Sequence, residues 1–98
     1  MLRYDWDPAK SDANLRERGF DFAFATLVFE GPTLEREDRR RDYGERRILA
    51  IGMAQGLELT VCYTPRAHPG GILERRIISA RRSNRHERKA WQQAIEGR

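Results

Sequence analysis

The sequence predicts an α+β fold: two N-terminal helices, an antiparallel sheet of three to four strands and a C-terminal helix. Three observations carry this. Apolar residues recur at helical spacing before Thr33 and mostly in alternation after it. The alternating segments are joined by connections too short for crossovers, so consecutive strands must be antiparallel. A capping-box pattern, Asn84 with Glu87 three residues on, opens a final stretch carrying an apolar stripe.

Each element follows from local chemistry. In "DPAK", Asp7 can accept hydrogen bonds from free amides, and Pro8 suits the first helical position. Gly19 supplies a left-handed stop, which predicts a first helix over about Pro8 to Arg18. Asp21 caps a second helix with Phe24, Leu27 and Val28 at helical spacing, ended by Gly31 and Pro32. "TLERE" adds a charged edge strand. "RRILAIG" is a strand, and "LELTVCYT" a clearer one, with Leu57, Leu59, Val61 and Tyr63 on one face and Glu58, Thr60, Cys62 and Thr64 on the other. "PRAHPGG" leads to a last strand over Ile72 to Ala80, and Ala90, Trp91, Ala94 and Ile95 form the inner stripe of the closing helix.

Ninety-eight residues suit one domain over 1–98. The net charge is +4, and its position matters more than its size. From Glu74 to Arg98 eight basic and three acidic side chains give +5, so the preceding residues carry −1. All cations but Lys10 and Lys89 are arginine, the side chain whose fork fits phosphate and whose plane stacks on bases. A nucleic acid or an acidic protein is the partner this suggests. The lone Cys62 excludes an internal disulfide or a thiolate metal cage. No apolar run approaches a membrane span, and the first residues contain no signal-peptide core, so a cytoplasmic protein is expected. No metal or cofactor motif is present: the two histidines stand eighteen apart without cysteine partners, and no glycine-rich phosphate loop or serine elbow occurs.

The order of "YDWDPAKSDANLRERGFDF", "FEGP", "DYGERRILAIG", "YTPR" and "RIISARRSNRHERKAW" resembles the BrnT family of toxins from bacterial type II toxin-antitoxin systems. The resemblance covers nearly the whole chain. It implies a RelE-like fold and an endoribonuclease, neutralised by a BrnA-type antitoxin whose DNA-binding part lets the complex repress its own operon. Operator DNA is then met only through the antitoxin. Two positions depart from the pattern: Arg18 stands before Gly19 where many relatives have a histidine, and Trp91 stands where they have a tyrosine.

Cleaving RNA without a metal requires activation of the 2′-hydroxyl, stabilisation of the phosphorane charge and protonation of the leaving oxygen. Arg47, Arg76 and Arg81 match recurrent arginines of the family and are the expected catalytic set. Lys10, Arg75, Ser79, Arg82, Arg85 and His86 are expected phosphate or RNA contacts. Strict alternation would place Arg76 on one face and Arg75, Ser79 and Arg81 on the other. Arg76 and Arg81 converge only if the strand ends or bulges near Ala80; otherwise Arg75, Ser79 and Arg81 form the trio. Glu87 fits a capping role better than that of a base, and His68 could reach substrate from its loop. The competing reading is an inactive homologue or RNA-binding module acting through a partner protein.

Overall fold

A computed structural model describes residues 2–97. The first helix, α1 (Pro8–Arg18), is bracketed as its caps require. Asp7 accepts from the Ala9 amide at 2.9 Å, and Gly19, at φ 87°, donates back to the Leu15 carbonyl at 3.0 Å. Its buried residues are polar: the Ser11 hydroxyl accepts from the Phe22 amide, and the Asn14 side chain donates to the Phe20 carbonyl. Thus α1 satisfies the turn that follows it.

The second expected helix is shorter than its apolar spacing suggests. Asp21 caps it, but α2 (Phe22–Ala25) makes one turn before tightening into a 3₁₀ segment over Thr26–Glu30. The tighter winding has a packing reason. Phe22, Ala25 and Val28 stand three apart, which at three residues per turn puts them in one row, and all are almost fully buried.

The expected antiparallel sheet of three to four strands is corrected to a mixed sheet of five. The strands are β1 (Leu2–Trp6), β2 (Leu34–Glu37), β3 (Ile48–Ala54), β4 (Leu57–His68) and β5 (Ile72–Arg82), in spatial order β1-β5-β4-β3-β2. Strand β1, absent from the expected elements, pairs parallel with β5 from Leu2 beside Leu73 to Trp6 beside Ile77. Its alternating Leu2, Tyr4 and Trp6 are a strand signal, but five residues whose partner lies some seventy positions away are hard to read. All other pairings are antiparallel.

One sheet face carries the core: Ile48, Ala50, Leu59, Val61, Tyr63, Ile77 and Ala80 pack under Phe20, Phe22, Ala25 and Val28. The second face carries Leu49, Ile51, Thr60, Cys62, Thr64, Arg76, Ser79 and Arg81, as the cross-strand register requires. The closing helix, α3 (Arg85–Glu96), lies against β2 and β3 and covers part of that face. Buried Trp91 anchors it through an indole N–H donated to the Pro32 carbonyl at 3.1 Å.

Register decides which arginines share a face. Tyr63 stands opposite Ile77 and Cys62 opposite Ser79, leaving Ile78 as the extra residue of a β-bulge. The bulge brings Arg76, Ser79 and Arg81 to the second face. It sends Arg75 to the core face.

Candidate functional site

A cleft of about 540 Å³ opens on the second face between the loop after β2 and the start of α3. Leu49 lines it, with Arg36, Arg39 and Arg40 from one side and Arg81, His86 and Glu87 from the other. Arg81 is fixed there by a bidentate pair: Nη1 and Nη2 donate to the Glu87 carboxylate at 2.6 and 2.8 Å. Glu87 also completes the capping box, accepting from the Asn84 amide at 2.8 Å while the Asn84 side chain accepts from the Glu87 amide at 2.9 Å. Arg81 above all holds the Glu87 pKa down to about 2. A group so acidic stays ionised at neutral pH and cannot donate a proton there. Its work is to cap the helix and aim the arginine.

The loop after β2 is tied by a second buried carboxylate. Asp38 accepts from Arg40 Nε and Nη2, both at 2.9 Å, from the Arg40 amide at 3.2 Å and from the Tyr43 hydroxyl at 3.0 Å. The Arg40 guanidinium is the main reason its carboxyl lies far below the usual range. The Tyr43 ring also meets two cations, Arg47 at 4.1 Å and Arg41 at 5.2 Å.

The expected site residues divide between the faces. Arg76 is on the second face with Arg81 and forms an ion pair with Asp5 of β1. Arg47, just before β3, bonds Glu45 at 3.2 Å, and its charge acts on the Cys62 thiol of the same face. Burial nevertheless raises the Cys62 pKa, which disfavours the reactive thiolate. Ser79 is exposed on this face, Arg85 is exposed at the first turn of α3, and His86 lines the cleft.

Three expected contacts lie elsewhere. Arg75, turned over by the bulge, is held on the other face over the Phe29 ring at 4.2 Å, near Tyr63 and Tyr4. Arg82 pairs in register with Leu59 of the core face and lines a shallow hollow with Leu15, Phe20 and Phe24. Lys10 is exposed on α1, which packs with α2 on that face. His68 also stands apart, with Nε2 3.5 Å from Glu74, a carboxylate that Arg3 pairs at 3.0 Å.

Asp38, Arg36, Arg39 and Arg40 were not expected here, because "REDRRRD" reads as solvated charge. The one usable signal is an aspartate two residues before an arginine, a spacing that permits a local fork. The two departures from the family pattern have structural roles. Arg18 donates from Nη1 to the Ala80 carbonyl at 2.7 Å, fastening α1 to β5, and Trp91 anchors α3. Among the described residues no group of three or more His, Cys, Asp or Glu is placed to hold a metal ion, and no helix is long and apolar enough to cross a membrane.

Fold and cleft together define a small α+β protein with an arginine-lined cleft on one sheet face. The model of the BrnT family, described as the ribonuclease toxin of type II toxin-antitoxin systems, matches residues 6–87, and the chain belongs to that family. RNA as substrate and a protein antitoxin as partner follow from that membership. The matched span contains the loop after β2 and both Arg81 and Glu87. No curated protein matches the chain.

Proposed function

We propose that this protein is a metal-independent endoribonuclease with its site in the cleft at the start of α3. The observation that carries the reading is Arg81, oriented by buried Glu87 into a cleft lined by three further arginines. In the reaction the 2′ oxygen of the RNA bonds to phosphorus while its proton passes to a base. The bond from phosphorus to O5′ breaks, its electron pair stays on O5′, and O5′ takes a proton. The products are a 2′,3′-cyclic phosphate and a 5′-hydroxyl. Arg81 stabilises the charge gathering on the phosphorane oxygens. His86 is the imidazole at the cleft and takes the proton-transfer role. Arg76 pairs with Thr64 where Arg81 pairs with Thr60, four residues of β4 or about 13 Å along the sheet at ordinary strand rise, and so meets a different phosphate of the same strand. Arg47 joins it on the approach to the cleft.

A BrnA-type antitoxin neutralises the enzyme in this reading by covering the arginines, and the complex represses its own operon through the antitoxin's DNA-binding part. The α+β order of elements fits a RelE-like ribonuclease.

One observation favours a second reading, a homologue that binds RNA without cutting it. Arg47, Arg76 and Arg81 each have a carboxylate partner, Glu45, Asp5 and Glu87, which is also how purely structural arginines are held. The test is cleavage of end-labelled RNA in excess chelator by wild type, Arg76→Ala and Arg81→Ala proteins purified alike. Wild type should cut and leave cyclic-phosphate ends, with Arg81→Ala slowed by a factor on the order of a hundred. Equal cutting by all three would trace the activity to a contaminant, and no cutting by wild type would favour the binding module.

A further inference from the structure

The cleft contains two guanidinium groups built in the same way. Arg81 is 40 % exposed while the Glu87 carboxylate beneath it is 9 % exposed. Arg40 is 76 % exposed over an Asp38 carboxylate that is 2 % exposed. Each carboxylate has a second anchor, the Asn84 amide for Glu87 and the Tyr43 hydroxyl for Asp38. Burying a carboxylate is costly unless it is well paired, and a surface ion pair needs no such burial. What the burial does achieve is direction. The fork of each arginine is fixed at its inner edge and its outer N–H groups point away.

Both arginines line the same cleft, and their charges act on each other. Glu87 raises the Arg81 pKa, and Arg40 works against that rise. Two like charges held towards one cavity by separate counter-ions leave it favourable for an anion that both can reach. Hydrogen bonds to Asp38 use Nε–H and one N–H of Nη2 of Arg40, which leaves both N–H groups of Nη1 and one of Nη2 for a ligand. Those to Glu87 use one N–H each of Arg81 Nη1 and Nη2, and Nη1 also donates to the Arg82 carbonyl at 3.3 Å, which leaves Nε–H and one N–H of Nη2.

We infer that Arg40 and Arg81 are the two jaws of a clamp for a single phosphodiester group, with Asp38 and Glu87 as positioning residues. The inference rests on the RNA reading above and names the group that the cleft grips. Arg40 is thereby a substrate-binding residue contributed by the loop after β2. Arg39, which also lines the cleft, is tied to half-buried Glu37 and lacks the deeper support of Arg40 and Arg81.

The probe is a dinucleoside monophosphate with a 2′-O-methyl group on its 5′ nucleoside, which cannot be cleaved by its own hydroxyl. Its affinity is measured by calorimetry at fixed low salt, beside an uncharged methylphosphonate analogue. Arg81→Ala should weaken binding about tenfold or more, the loss of a charge-assisted hydrogen-bond pair. Asp38→Asn combined with Arg40→Gln, which leaves no unpaired buried charge, should do the same. Arg40→Lys, which keeps the charge without the fork, should fall between, and Arg16→Ala on α1 should bind as wild type. The analogue should bind all of them equally weakly. Wild-type affinity in both Arg40 variants, or no preference of wild type for the charged probe, overturns the clamp. Clamp binding without cleavage of unmodified RNA sinks the ribonuclease chemistry alone, and cleavage with undiminished probe binding in the Arg40 variants sinks the clamp alone.

Discussion

Glu87 shows how one side chain links stability to the site. Its pKa, ordinarily 4.5, is held near 2 in the folded protein, chiefly by Arg81. A depressed carboxylate stabilises the fold above its ordinary pKa and stops doing so as pH falls through the folded value. Wild type should therefore lose on the order of 3 kcal/mol between pH 5 and pH 2 from this group. Urea unfolding at both pH values should show Glu87→Gln with a smaller acid loss and a lower stability at pH 6. If the two proteins lose stability in parallel on acidification, the pairing contributes nothing. Trp91 is a second case at this scale: Trp91→Phe keeps the ring in the core but strands the Pro32 carbonyl, at a cost of about 1 kcal/mol in the same assay. The Glu87 cap was legible because both partners lie within one turn. The fork from Arg81 was not, since a sequence shows charges without showing which of them is buried. The same holds for Asp38 and Arg40.

At the scale of elements, the cap residues Asp7, Gly19, Asp21 and Asn84 act as their chemistry predicts, because capping depends on neighbours a few residues away. The bulge at Ile78 is different. Alternation reads "ERRIISARR" as one flat strand, which would separate Arg76 from Arg81, and the extra residue is visible only once the partner strand is in register. The convergence that a bulge would permit was foreseeable, but its position was not. Packing between elements yields a sharper prediction at Gly52 of β3. A Cβ there would stand 3.0 Å from Val28 Cβ and 3.1 Å from Thr33 Cγ2, so the 3₁₀ segment can approach β3 only because the side chain is absent. Gly52→Ala should lower the urea-unfolding stability by about 1–3 kcal/mol, and an unchanged midpoint would mean that the segment yields freely.

For the whole molecule, the family, the α+β class and the basic stretch from Glu74 onward were readable, whereas the parallel edge strand, which depends on contacts between distant parts of the chain, and the burial of Asp38 in the loop after β2 were not. With RNA bound as proposed above, the arginines of the second face make affinity a matter of ionic strength. Binding to an uncleavable single-stranded RNA should weaken linearly in log salt, with a slope that falls by about 0.7 for each phosphate contact removed, as in Arg81→Ala. Equal slopes for wild type and variant would remove Arg81 from the backbone contacts. The pairing of β1 with β5 also governs when the molecule can assemble. A ribosome releases β1 and α1 first, yet the strand they depend on is the last one made, and Arg81 and Glu87 emerge with it or just after. Until Ile72–Arg82 is free, β1 has no strand to join and Asp5 has no Arg76. A translation product cut short before that point therefore has neither a complete sheet nor a cleft, and on the site proposed above it is unable to harm the cell making it.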